Sequence, residues 1–164
     1  MLESARRVLA RAAAFVAGVG LIGCATPGRA VVAQQYRIAR PTERLDELVR
    51  FYRDGLGLPV LGSFEGHAGY DGQLIGTGLP GHELELTQQV GAPHHPPPSD
   101  DHLLVLYYPD RAALEAVAER LRARGHAPVA PANPYWNGRS LTFADPDGWR
   151  VVLFDAATLG RPPT

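Results

Sequence analysis

An α+β fold of two tandem βαβββ modules is what this sequence predicts, and three observations predict it. From Gln35 onward, a short alternating segment, an amphipathic helix and three further short strand-like segments follow one another twice in the same order, at a repeat of about 55 residues. Both helices end in glycine and lead into a similar phrase, Leu58-Pro59-Val60 in the first copy and Ala127-Pro128-Val129 in the second. Between the copies, Val90 to Asp101 carries Pro93, Pro96, Pro97 and Pro98 and reads as a linker.

The first module spans residues 34–89. Gln35 to Ala39 alternates as a strand and Pro41 stops it. Thr42 is the expected N-cap of a helix whose Leu45, Leu48, Val49 and Tyr52 share one face; Gly55 and Gly57 end it. Val60 to Phe64, Tyr70 to Ile75 and Glu83 to Gln88 are the remaining strands. The second module spans 102–156. His102 to Tyr107 opens it as a strand, and Asp110 caps a helix that places Leu114, Val117, Ala118 and Leu121 on one face. Val129, Ser140 to Ala144 and Trp149 to Phe154 supply its later strands, and 157–164 is a tail.

Composition bounds the function. A chain of 164 residues, 45% hydrophobic and 20% charged, suits one soluble domain with a sizeable core. All 16 basic residues are Arg, but 17 acidic residues leave a net charge of −1, so a nucleic-acid partner is not expected. The single Cys excludes an internal disulfide. No G-x-S-x-G elbow, phosphate loop or catalytic Cys is present.

Residues 1–33 form a separate segment. Arg6, Arg7 and Arg11 precede an apolar run from Ala12 to Gly23, too short to span a bilayer but fitting a signal peptide. Leu21-Ile22-Gly23-Cys24 resembles a bacterial lipoprotein box, which would anchor the chain to a membrane through Cys24. Two alternatives stand beside export: a disordered extension, and a cytoplasmic protein whose true start lies near Val31.

Phe51-Tyr52-Arg53-Asp54-Gly55-Leu56-Gly57-Leu58 and Phe143-Ala144-Asp145-Pro146-Asp147-Gly148 resemble the helix-end and last-turn phrases of the vicinal-oxygen-chelate superfamily of glyoxalases, bleomycin-resistance proteins and extradiol dioxygenases. With Arg37-Ile38-Ala39-Arg40-Pro41, Gly69-Tyr70-Asp71-Gly72 and Asn133-Pro134-Tyr135-Trp136, they resemble a bacterial branch known by its fold. The resemblance covers residues 34–156. It implies curved sheets that enclose a cavity, a small-molecule ligand or substrate, and a homodimer as one assembly.

The resemblance also implies, in members that use a metal, ligands on the first and last strand of each module. Gln35 and His102 open the modules, 102 − 35 = 67 residues apart, and Glu85 plus 67 is Val152. Gln35, Glu85 and His102 then offer an O/O/N set for Zn, Ni, Mn or Fe, with no protein cofactor as the alternative. A register shift of two places puts Arg37, which cannot ligate, in place of Gln35. Val152 replaces the carboxylate that serves glyoxalase-like members as ligand and base, so glyoxalase I chemistry is not expected. Arg37 and Arg150 are candidate clamps for an anionic substrate or, equally, partners for Glu83 or Glu85. His67, in a Gly-rich hairpin with Tyr70 and Asp71, is a cavity-mouth acid/base or a plain turn residue. Trp136, with Tyr135, Asn137 and Arg139, forms a cavity rim or part of the core. His94 and His95 fall in the linker and His126 in the turn after the second helix. Two functions follow: a metal-dependent lyase, isomerase or dioxygenase acting on a small oxygen-rich molecule, or a metal-free protein that sequesters a small aromatic or cationic compound.

Overall fold

Leu84 and Leu86 alternate with Glu83 and Glu85, and that period of two sets the inner and outer faces of the first sheet. The computed structural model describes residues 33–92 and 99–160. The signal-like segment with Cys24, the alternative start near Val31, and His94 and His95 lie outside the described residues. Strand β1 (Tyr36–Pro41) pairs in parallel with β4 (His82–Gln89), and β3 (Tyr70–Gly76) and β2 (Val60–His67) complete the order β1-β4-β3-β2. The second sheet repeats it as β5-β8-β7-β6, with β5 (Leu103–Tyr108) parallel to β8 (Arg150–Asp155), then β7 (Ser140–Ala144) and β6 (Pro128–Val129). The expected βαβββ repeat is present in both halves. His102 and Gln35 sit just before their strands rather than inside them.

Helix α1 (Leu45–Val49) continues into a π-helical turn, Arg50–Gly55. Thr42 does not cap it. Its Oγ1 accepts a hydrogen bond from the Arg44 amide at 2.8 Å, closing a hydroxyl turn, and Arg44 takes the N-cap position with no side-chain cap. Gly55 packs closely on the second helix, since a Cβ there would lie 2.6 Å from Leu121 Cδ2 and that side chain would have to shift. Helix α2 (Arg111–Arg122) starts as expected, with Asp110 Oδ1 accepting from the Ala113 amide at 2.9 Å.

The two helices lie in one shared core. Leu48, Phe51 and Tyr52 of the first module pack in the same cluster as Leu114, Leu121, Phe143, Val151 and Leu153 of the second. Arg40 locks the modules together. Its guanidinium donates to Asp145 Oδ2 at 2.5 Å and to the Tyr52 hydroxyl at 2.7 Å, and lies over the Trp149 ring at 4.0 Å. Tyr52 donates to the same Asp145 oxygen at 2.9 Å, while Oδ1 accepts from the amides of Asp147 and Trp149. Burial drives the Tyr52 phenol well up, so it stays a donor. Burial also pushes the Asp145 carboxyl up, against the pull of Arg40, Tyr52 and the Trp149 amide.

Candidate functional site

The face of the first sheet that turns away from the helices carries Arg37, Glu83 and Glu85. Arg37 Nε and Nη2 donate to Glu83 Oε2 at 3.0 and 2.8 Å, and Nη1 donates to Glu85 Oε2 at 3.0 Å. Glu83 is the larger cause that holds the guanidinium above its ordinary range. One cation is thus shared by two carboxylates, and Arg37 takes the ion-pair role rather than standing free for a substrate. The face assignment inferred for Glu85 is observed: Leu84 and Leu86 are buried in the core and Glu85 points the other way.

The corresponding face of the second sheet is mainly apolar, with Arg150 and Thr142 its polar members. Val105 pairs with Val152, and Thr142 lies beside Val152 on the other side. Val152 and Phe154 are buried outside the helix-side core. Trp136 covers this face, edge-on to Phe154 at 5.8 Å, and Tyr107 meets Phe154 at 5.2 Å. Ser140 Oγ donates to the Trp136 carbonyl at 2.7 Å and fixes the covering turn.

Strand register places the ligand candidates apart. Glu85 lies opposite Ala39, and Gln35 is four residues back along the chain, about 13 Å in an extended strand. Val105, not His102, stands opposite Val152. His102 Nδ1 shares a 2.8 Å hydrogen bond with Ser99 Oγ, and the ring packs edge-on to Trp149 at 6.4 Å. Among the described residues no three His, Cys, Asp or Glu side chains group as a metal site. The register pairs at these positions, Ala39 with Glu85 in the first sheet and Val105 with Val152 in the second, include one ligand type. These residues do not fit a three-ligand ion.

Arg150 is held by Asp100 through two contacts at 3.1 and 3.0 Å. His67 is exposed at the end of β2, where Ala68 and Gly69 both have positive φ and form the tight turn into β3. His126 lies after α2 as expected, edge-on to Phe51 at 4.9 Å.

The free edges of both sheets, β1 and β5, border an open groove of about 510 Å³. Tyr36, Ile38, Leu79, Leu104, Leu106 and Tyr107 form its apolar walls, with Glu83 and Arg120 at its margins. Tyr36, Leu79 and Tyr107 are each more than half exposed, which is much apolar surface for one place. A cleft of about 500 Å³ beside α1 has charged walls instead, among them Glu43, Glu47, Glu65, Asp71 and Arg44. Apolar lining with a few polar margins is the ordinary character of a small-molecule site, so the groove is the stronger candidate.

Residues 36–87 match the YycE-like N-terminal domain and residues 101–155 the YycE-like C-terminal domain. "Uncharacterized protein YycE" of Bacillus subtilis (strain 168) is 44% identical over 124 residues, which is 76% of this chain and 89% of that protein. The chain belongs to the YycE-like family. The crystal structure of a Bacillus subtilis YycE protein superposes with a TM-score of 0.73 at 43% identity, covering 79% of this chain and 94% of that one. Leishmania major glyoxalase I, at 19% identity and a TM-score of 0.62, shares the fold across 78% of this chain and 90% of its own. TnmS3, an antibiotic binding protein from Streptomyces sp. CB03234, shares it at 24% identity and a TM-score of 0.56, over 77% and 98% of the two chains. The family therefore shares its fold with glyoxalase and antibiotic-binding proteins.

Three of the phrases that carry the family resemblance supply structural residues. Arg40, Tyr52 and Asp145, one from each, meet in the buried clasp. The groove was missed because its walls are ordinary strand residues. The signal that could have revealed it is the unbroken apolar run Leu103 to Tyr108, since an edge strand is expected to alternate.

Proposed function

We propose that this YycE-like protein binds a small aromatic or largely apolar molecule without a metal, and that the groove between β1 and β5 receives it. The observation that carries this reading is the groove itself, with its aliphatic floor and the exposed rings of Tyr36 and Tyr107. Tyrosine rings stack on flat ligands and lose little rotamer freedom in doing so. Glu83, at the margin, gives a basic substituent a carboxylate to approach. The pairing of Glu83 and Glu85 with Arg37 supports the metal-free half of the reading. An antibiotic-binding protein is among the structures of the same fold.

The test is a titration of the purified protein with a panel of aromatic amines, quinones and polycyclic dyes, followed by tryptophan and tyrosine fluorescence. A saturable site that Leu106→Asp or Tyr107→Ala abolishes, with circular dichroism unchanged, is the expected result. Elemental analysis runs in parallel on wild type, Glu85→Ala and His102→Ala. Near-stoichiometric metal that both substitutions remove would overturn the metal-free reading and restore the enzyme reading, with diketones, thiol adducts and catechols as the substrates to screen.

A further inference from the structure

On the helix side of the molecule, away from both sheet faces, the seam between the modules opens into a cleft of about 400 Å³ lined by Glu47, Arg50, Asp54, Arg124, His126 and Pro146. Three elements build it. The π-helical turn contributes Arg50 and Asp54, whose spacing of four residues is close to one turn of that wide helix, so both side chains leave on the same side. The turn after α2 contributes Arg124 and His126, and the Asp-Pro-Asp-Gly turn contributes Pro146.

The donors and acceptors here do not balance. Glu47 is held by Arg44 at 2.5 Å, and Asp54 by Arg53 through bonds of 2.7 and 2.9 Å. The Pro146 carbonyl also accepts from Arg44. Each acceptor group lining the cleft is therefore already bonded to a guanidinium, with Arg44 serving both Glu47 and Pro146 and Arg53 serving Asp54. Arg50 makes no ion pair within 4 Å among the described residues, and Arg124 donates one bond, to the Arg120 carbonyl at 3.1 Å. Both lie near enough to Asp54 to add to the lowering of its carboxyl, after the larger effect of Arg53. His126 is half-buried against Phe51; its backbone amide donates to the Leu121 carbonyl at 3.0 Å, while its imidazole makes no hydrogen bond among the described residues.

We propose that this cleft binds a small tetrahedral oxyanion, a phosphate either free or as an ester, between the forks of Arg50 and Arg124, with His126 as a third donor. A guanidinium fork matches phosphate oxygens in a bidentate way, and two forks from different modules enclose the anion from both sides. Binding there bridges the modules, so it stabilises the native fold by mass action.

The experiment uses the purified protein and inorganic phosphate, with glycerol phosphate as the ester probe and sodium chloride at matched ionic strength as the reference. Thermal unfolding and isothermal titration are run on wild type, Arg50→Gln, Arg124→Gln and, as a control on the exposed face of α2, Arg111→Gln. The expected result is a rise in Tm with phosphate for wild type and Arg111→Gln. Arg50→Gln and Arg124→Gln should bind about tenfold more weakly or worse, the usual effect of losing a charge-assisted bond. Tighter binding of the ester than of phosphate assigns the site to a larger phosphorylated ligand; equal binding assigns it to the free ion. An equal response in all four proteins, or no response of wild type beyond chloride, overturns the proposal.

Discussion

The two sheets share strand order, pairing sense and a helix on the same side, yet their outer faces have opposite chemistry. In the first, Arg37 bridges Glu83 and Glu85 in partial contact with water. In the second, Val152 and Phe154 are buried, Trp136 and Tyr107 pack edge-on against Phe154, and Val105 is partly buried at the groove. What the repeat retains is the packing of helix on sheet. Its outer faces have diverged, one toward an ion-pair network and the other toward a second small core. A site that needs matching ligands from both modules has no symmetric place to form.

The widest test of the comparison removes what the modules share. Asp145→Ala leaves Arg40 buried without its anion, and breaking a buried pair from one side costs about 3–5 kcal/mol. Urea denaturation should show that loss as one cooperative transition, because the core runs through both modules. A loss below about 1 kcal/mol would mean that the clasp does not join them.

Next comes the contrast between the outer faces. Phe154→Ala empties a side chain that is 1% exposed and should cost about 3–5 kcal/mol. Glu85→Gln should cost no more than about 1 kcal/mol, because the pair with Arg37 leaves those side chains 22% and 41% exposed. Chemical denaturation of both variants checks the ranking. Equal losses would erase the distinction drawn between a core-like face and a solvated one.

Local chemistry is what made parts of this molecule legible in sequence. The cap at Asp110, the buried stripe of α2 and the outward direction of Glu85 each depend on residues a few places apart, and each was readable. The ion-pair alternative for Arg37 was readable from charge and strand phase. Register was not. Nothing local tells that Ala39, not Gln35, lies opposite Glu85, because the pairing joins residues 46 apart, on the first and last strands of the module, with most of that module between them. Thr42 misled because a hydroxyl before a helix can close a turn as well as cap. The groove and the Arg40–Asp145 clasp are long-range in the same way, the latter linking residues 105 apart.

The smallest expected effect concerns a device that the first module alone has. Its β2–β3 hairpin turns on Ala68 and Gly69, with φ of 51° and 86°, whereas β6 and β7 are joined by the long segment that carries Trp136. Two positive φ values are the signature of a turn that prefers Asn-Gly, and alanine in the left-handed region is strained by roughly 1 kcal/mol. Ala68→Asn relieves part of that strain without adding the unfolded-state freedom that glycine would bring. A gain of about 0.5 kcal/mol should appear as a rise in Tm of about 1–2 °C. Ligand binding in the groove should not change, because the turn lies at the far edge of the sheet from β1. A fall in Tm would show that the Ala68 methyl group packs in a way that outweighs its backbone strain. An altered groove affinity would show instead that the outer face of the first sheet and the groove are coupled, and the separation drawn between them would have to be redrawn.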